Sequence, residues 1–402
     1  MYNSYKLIQN ITKKKSKKGH LNNHTLKSYY KPSINKYVDN KVRSLLNKSL
    51  HSMNRKIKKK PYDIFGCKTA LFKSTMRSLV SNDAIKRDKT RKKQKYKVSY
   101  NQLIKNLKIK INNKCVSAFS LEAQRAMIHN IQFTNHLNPS KVISPVQHVA
   151  NCWFNVFFMV FFISDKGRLF FKFFRLLMII GKKSNGNKIN KQLHFAFLLL
   201  NLCIESSYNL YPSSKNFAKK INTNHLILYI NQSIQEGGSL VYNIHDAGNP
   251  YSYYRNIMNY LDVNDLNILK IHNSSFIYQT LDRQMHHNRK LPHIIVLECK
   301  DNDKKDAIIK MELNNQNIKY ELDSACIIDT KGNHFCGLLH INNIEYGFDG
   351  SSSKRLEPFK WVSLLNKNKN WTFKGTNRDV SLSDYCEWNF TKSYCLLFYY
   401  RV

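Results

Sequence analysis

The pattern of apolar and polar positions predicts helices in the middle of the chain. Apolar residues recur there at helical spacing among residues of good helix propensity, and Ser120 is suited to cap the first segment. The predicted helices cover residues 120–133, 152–163, 168–181, 191–206 and 252–270. We therefore expect the helical part of the protein to span about 116–290.

The pattern changes after Pro292, where short segments rich in β-branched and aromatic residues follow one another. Asn, Asp and Gly separate most of them, as in an antiparallel meander. The predicted strands cover residues 293–299, 307–313, 318–329, 334–341, 344–350 and 393–402. The order predicts an α+β fold with an antiparallel sheet over about 291–402.

Residues 1–115 show little sustained periodicity and predict a basic, poorly ordered or loosely helical N-terminal arm ahead of a domain at 116–402. The first 120 residues hold 32 Lys and Arg against 4 Asp and Glu, out of a net charge of +39 for the chain. Such an arm favours phosphate-rich partners, because each neutralised phosphate releases a counterion. It lacks a helix-turn-helix or finger signature, so non-specific nucleic-acid contact, packaging in an acidic environment and solubility stay open.

The cysteine spacing and the apolar runs indicate which metal sites and which cellular compartment to expect. The nine cysteines include no C-x-x-C pair, which gives little support to a zinc ribbon or a disulfide framework, and we expect no metal and no cofactor. The start of the chain lacks the apolar core of a secretory signal. The runs 153–163 and 169–180 are too short to cross a bilayer, so no membrane contact is expected. A reducing, intracellular setting follows as the expectation.

Cys152 is the first candidate for chemistry. Asn151 is a favourable helix cap and the apolar run after it begins with Cys152, which places the thiol in the first turn of a helix. Unpaired backbone N–H groups and the positive end of the helix dipole there favour thiolate, which is the nucleophile. The alternative is an inert core cysteine, since free cysteines are among the most buried residues.

A hairpin at 332–352 supplies a base and an acid. If Asn342 and Asn343 form its two-residue turn, His334 lies opposite Ser351, and Asp349 is the diagonal neighbour of His334 on the same face. A carboxylate there can orient the imidazole and support its charged form. Separately, the histidine could be structural and the Asp a turn former. Together with a helix-start cysteine they match the order of a Cys-His-Asp triad.

Gln147 stands five residues before Cys152, where its side-chain amide could donate to an oxyanion formed by attack of the thiolate. The backbone N–H of Cys152 could supply a second donor. An ordinary surface glutamine is the competing interpretation of Gln147.

The segments QHVANCWFN and NHFCGLLHINNIEYGFDGS carry a resemblance to papain-like cysteine peptidases. They are similar to the Cys and His boxes of the ubiquitin-specific proteases, with Gln147 in the place of the family's Asn, His334 matching the base and Asp349 the orienting acid. The separation of His334 and Asp349 is slightly shorter than usual. Ala150 replaces the family's Gly, and the zinc-bearing C-x-x-C pairs are absent.

The resemblance implies a papain-like fold and thiol-dependent hydrolysis of peptide or isopeptide bonds, as in a deubiquitinase or a ubiquitin-like-protein protease. It implies a protein substrate, ubiquitin or ubiquitin-like, and suits the diverged members found in large DNA viruses, which would place the protein in host cytoplasm or virion. The competing hypothesis is a non-catalytic, basic nucleic-acid-associated or virion structural protein that retains the fold.

Overall fold

The computed structural model describes residues 60–67, 104–134, 136–147, 151–219, 222–234, 248–263, 268–288, 291–300, 303–313, 316–376 and 386–402. The helical part comes first. Its helices are α1 (Leu121–Ile131), α2 (Cys152–Phe162), α3 (Asp165–Phe170), α4 (Lys172–Ile180), α5 (Lys191–Ser207), α6 (Pro212–Ala218), α7 (Thr223–Ile234), α8 (Pro250–Tyr260) and α9 (Ile277–Asn288). The prediction of a mainly helical middle is confirmed.

A mixed sheet follows the helical part. Its strands are β3 (Ile268–Ile271), β4 (Ile294–Cys299), β5 (Ile308–Leu313), β6 (Gln316–Ile328), β7 (Phe335–Ile341), β8 (Ile344–Phe348), β9 (Leu356–Pro358) and β10 (Cys395–Arg401), and a separate ribbon joins β1 (Lys108–Ile111) to β2 (Lys114–Ser117). The spatial order is β3-β4-β10-β6-β7-β8-β9, with β5 also paired to β6. The α+β class is confirmed.

The sheet departs from a simple meander at two places. The last strand, β10, lies between β4 and β6 and pairs antiparallel with both. At the edge, β3 runs parallel to β4. The prediction of a helix at 252–270 is wrong at its C-terminal end. The helix stops at Tyr260, because Asp262 adopts a left-handed φ of 60°, and the strand β3 begins at Ile268.

All eleven residues of α2 are buried, and this helix packs between the other helices and one face of the sheet. Alternate residues of each strand point to that face, as Leu339 and Phe398 do. The opposite face is covered by a second apolar cluster in which Trp361, Trp371 and Trp388 take part. The sheet is thus buried on both sides.

Described parts of the predicted arm pack onto the helical part. Ile64 and Phe65 are buried, the N–H of Lys110 donates to the carbonyl of Ile64 at 2.9 Å, and Cys67 and Cys115 form a disulfide. The cysteine spacing gives little support to a disulfide framework and does not indicate this pair, whose two residues are 48 positions apart in sequence. The arm boundary at residue 115 stays a prediction.

None of the helices that the structure describes is both long enough and apolar enough to cross a membrane.

Candidate active site

The predicted helix start at Cys152 is confirmed: Asn151 is the N-cap residue and Cys152 the first residue of α2. The side chain of Asn151 makes no capping hydrogen bond. Its Nδ2 donates instead to Oγ1 of Thr223 at 2.8 Å, and that hydroxyl donates to Oδ1 of Asn155 at 2.7 Å. A buried chain of hydrogen bonds therefore joins the first turn of α2 to α7. The Asn151 side chain does not bond the unpaired N–H groups at the start of α2.

The predicted hairpin is confirmed in turn and register. Asn342 and Asn343 have positive φ angles of 52° and 59°, as a two-residue hairpin turn requires. The strand ladder runs from Ile341 opposite Ile344 to Gly337 opposite Phe348. His334 precedes the first residue of β7 and Asp349 follows the last residue of β8, so both lie at the open end of the hairpin, away from its turn.

The structure brings His334 and Asp349 together. Nε2 of His334 lies 2.8 Å from Oδ1 of Asp349, and because an ionised carboxylate only accepts, the imidazole N–H is the donor. The side chain of Asp349 is fully buried and that of His334 is 9% exposed. An Nε2–H bond leaves the other ring nitrogen, Nδ1, for a second partner.

That second partner is Cys152. Burial disfavours the charged imidazole of His334, but hydrogen bonds with Asp349 and Cys152 and the electrostatic interactions with these two residues outweigh burial and raise the pKa of His334 to about 10. The imidazole is therefore protonated at neutral pH. Reactive cysteines in proteins are found at helix N-termini and beside cationic side chains, and Cys152 has both features.

Asp349 is held by several donors besides His334. The N–H of Ser351 donates to Oδ1 at 2.9 Å, the Ser351 hydroxyl lies within 3.0 Å of both oxygens, and the hydroxyl of Thr376 lies 2.7 Å from Oδ2. Burial opposes ionisation, but the hydrogen bonds from His334, Ser351 and Thr376 outweigh it and lower the pKa of the Asp349 carboxyl. Asp349 is thus a buried anion with its acceptors filled.

The backbone of His334 is fixed from two sides. Its N–H donates to Oδ1 of Asp329 at 2.8 Å, and its carbonyl accepts the N–H of Asp329 at 2.8 Å and the indole N–H of Trp388 at 3.3 Å. The Trp388 ring also lies 5.8 Å from the imidazole, centroid to centroid. These contacts fix the backbone position of His334. The hydrogen bond to Asp349 then fixes the rotation of the imidazole ring.

Gln147 lies against Gly350, the residue that follows Asp349. Its backbone N–H donates to the carbonyl of Gly350 at 3.0 Å, and a Cβ at Gly350 would come within 3.2 Å of Cβ of Gln147. The side-chain Oε1 is buried without a hydrogen-bond partner. The oxyanion role of Gln147 stays a prediction, although the glutamine lies against the residue that follows the predicted acid.

Sequence reasoning missed four residues that shape this site: Asp329, Ser351 as a hydrogen-bond donor, Thr376 and Trp388. Thr376 and Trp388 come from chain segments without helix or strand periodicity, so no pattern indicated them. Asp329 precedes a turn and could have been suspected as a residue that bonds backbone N–H groups. Among the described residues, no group of three or more His, Cys, Asp or Glu side chains could hold a metal ion.

No protein-family model matches this sequence, and no curated protein matches it significantly.

Proposed function

We propose that this protein is a papain-like cysteine peptidase in which Cys152 is the nucleophile, His334 the base and Asp349 the orienting acid. The observation that carries the proposal is the connected set of hydrogen bonds from Cys152 through the His334 imidazole to Asp349. The two halves of the set come from different layers of the fold. Cys152 heads the central helix and the other two residues stand at the end of a sheet hairpin.

In this mechanism the Cys152 thiolate attacks the carbonyl carbon of a peptide or isopeptide bond. The oxyanion that forms would take hydrogen bonds from the backbone N–H of Cys152 and the side-chain amide of Gln147. His334, already an imidazolium, donates its proton to the leaving amine as the tetrahedral species collapses to a thioester. It then accepts a proton from water, whose attack releases the acid and restores the thiolate.

The buried setting of the three residues supports chemistry rather than a surface ion pair. Taken as whole residues, Cys152 is 8% and His334 7% exposed to solvent, while Asp349 is fully buried. Electrostatic interactions are stronger in such a place than in water. A purely structural histidine would not require a thiol at a helix start as its second partner.

The substrate class rests on the resemblance of the Cys and His boxes to those of ubiquitin-specific proteases. On that basis we propose ubiquitin or a ubiquitin-like protein as the substrate. The diverged character of the motifs suits a viral enzyme that acts in host cytoplasm or is carried in the virion.

The competing function is that of a non-catalytic, basic protein of the virion or of nucleic-acid packaging. The charge of the N-terminal region favours it, since 32 Lys and Arg stand in the first 120 residues. Its basic residues would give non-specific contacts with nucleic acid.

A thiol-reactivity experiment separates the two functions. Cys386 is half-exposed, and burial together with Asp329 and Asp349 raises its pKa to about 11, whereas Cys152 is nearly buried but faces His334. At pH 7, chloroacetamide followed by peptide mass spectrometry should modify Cys152 faster than Cys386. Cys152→Ala should abolish hydrolysis of ubiquitin-derived probes and Cys386→Ala should not. Preferential reaction of Cys386 and an inert Cys152 would favour the non-catalytic protein.

A further inference from the structure

A short turn at residues 373–376 places a hydroxyl group against the predicted acid. The N–H of Thr376 donates to the carbonyl of Phe373 at 3.2 Å, and Gly375 takes a φ of 83°, which a residue with a Cβ rarely adopts. The turn is held by contacts with the hairpin that carries Asp349.

Two contacts fix the turn onto this hairpin. The ring of Phe373 lies on Gly347 of β8, where an added Cβ would come within 2.5 Å of the ring, so a glycine is needed for the close approach. The carbonyl of Lys374 accepts the N–H of Ser353 at 2.8 Å. Phe373 also packs against Trp388, with 5.4 Å between ring centroids. The hydroxyl of Thr376 is therefore presented by a docked turn.

The hydroxyl of Thr376 lies between two acceptors. Its Oγ1 is 2.7 Å from Oδ2 of Asp349 and 2.7 Å from the carbonyl oxygen of Phe373. A hydroxyl has one proton, and an ionised carboxylate makes the stronger hydrogen bond of the two. His334 and the N–H of Ser351 bond Oδ1, and the Ser351 hydroxyl lies within 3.0 Å of both oxygens. The hydroxyl of Thr376 bonds Oδ2 at the shorter distance of 2.7 Å and does not bond Oδ1.

We propose that Thr376 is a positioning residue for the peptidase reaction: its hydroxyl fixes Oδ2 of Asp349 and so keeps Oδ1 directed at Nε2 of His334. This inference rests on the proposed function. Without the hydroxyl, the carboxylate would be held by Ser351 and His334 only, and could rotate about its Cβ–Cγ bond. A structural role confined to the turn would instead depend on the shape of the side chain.

Several ionisable groups surround this pair and would contribute to any pH profile. Cys152 faces it from α2. The electrostatic neighbours from the strands and loops are Asp329, Lys331, Cys336 and Cys386. Comparison of variants that change only position 376 keeps these groups constant.

The test uses Thr376→Val, which keeps the shape and removes the hydroxyl, and Thr376→Ser, which keeps the hydroxyl and removes the methyl group. The substrate-free measurement is NMR titration of full-length protein labelled at histidine Cε1, with the His334 signal assigned through His334→Gln. Thr376→Val should lower the pKa of His334 by about one unit, because the charged partner is less well oriented. Thr376→Ser should titrate like the wild type.

Kinetics give the second readout. With a cleaved substrate, Thr376→Val should lower kcat roughly tenfold with little change in KM, and Thr376→Ser should restore kcat. An unchanged His334 titration in Thr376→Val, or a Thr376→Ser variant that behaves like Thr376→Val, would overturn the inference. If the wild type hydrolyses nothing while the titration still shifts, the proposed function fails and the positioning contact stands.

Discussion

Asp165 at the start of α3 accepts the backbone N–H of Asn342 through Oδ1 at 2.9 Å, which joins the helical part of the fold to the tip of the β7–β8 hairpin. Its Oδ2 accepts the next N–H, that of Asn343, also at 2.9 Å. One carboxylate therefore satisfies both central residues of the turn whose register places Asp349 next to His334.

We expect Asp165→Ala to lower the free energy of unfolding by about 1 to 3 kcal/mol, because two backbone donors lose a charged acceptor. Urea denaturation measures the change. Asp282→Ala is the matched control, since Asp282 is 54% exposed and its contact is a surface pair with His286. Equal stability of the two variants would mean that the turn does not depend on the carboxylate.

Asp349→Ala should lower kcat by roughly 10²-fold to 10⁴-fold while leaving Cys152 and His334 in place, as in other triads in which the orienting acid is lost. Steady-state kinetics with a ubiquitin-derived substrate provide the measurement. Cys336→Ala is the comparison, because Cys336 is fully buried near Asp349 and pairs with Ile327 on β6.

Cys336→Ala should change stability more than kcat. A variant at Asp349 with full activity would remove this residue from the triad, and Ser351 would be the nearest candidate to orient the imidazole.

The raised pKa of His334 predicts a pH-dependent stability. Its pKa is about 10 in the folded protein against an ordinary value of 6.5, so the contribution is fully present below pH 6.5 and is lost as pH rises towards 10. The difference in unfolding free energy between wild type and His334→Gln should therefore shrink over this interval. Urea titrations at several pH values provide the test, and parallel stability curves would contradict the assignment.

Truncation at two places should separate basic residues near the start of the chain from the buried contacts of Ile64 and Phe65. Deletion of residues 1–59 keeps the buried Ile64 and Phe65 and the bond from Lys110 to Ile64, so we expect a folded protein with weaker, less salt-dependent binding to DNA. Deletion of residues 1–110 removes these contacts and Cys67, and should lower the melting temperature. Fluorescence anisotropy at several salt concentrations and thermal unfolding measure the two effects.

If deletion of residues 1–59 left DNA affinity unchanged, the basic residues at 13–18 and 55–59 would not be the binding region. If deletion of residues 1–110 left stability unchanged, the packing of Ile64 and Phe65 would contribute little.

The elements next to the candidate site were predictable because they depend on local rules. The start of α2 is indicated by the apolar run that begins at Cys152, although the Asn151 side chain bonds Thr223 instead of capping the helix. The hairpin register follows from the tolerance of Asn342 and Asn343 for positive φ. Strand alternation then places Asp349 and His334 on one face. Each of these steps uses residues that are close in sequence.

What could not be predicted depends on contacts between distant segments. Thr376 contacts Asp349, 27 residues before it, and lies in a segment without sequence periodicity. The strand β10 pairs with β6, which begins at Gln316, 79 residues before the first residue of β10. The Cys67–Cys115 disulfide spans 48 residues. Such pairings are decided by packing of the whole core, which no window of sequence contains.

The burial of α2 on every side has a consequence for how variation acts on the two halves of the candidate site. Cys152 stands on a helix that cannot shift without opening the core. A substitution such as Val160→Ala, remote from the thiol, would therefore reduce the population of folded molecules rather than the activity of each one. His334, at a strand end, can be altered locally. Mutational screens should therefore find abundance defects along the helix and specific-activity defects around the hairpin.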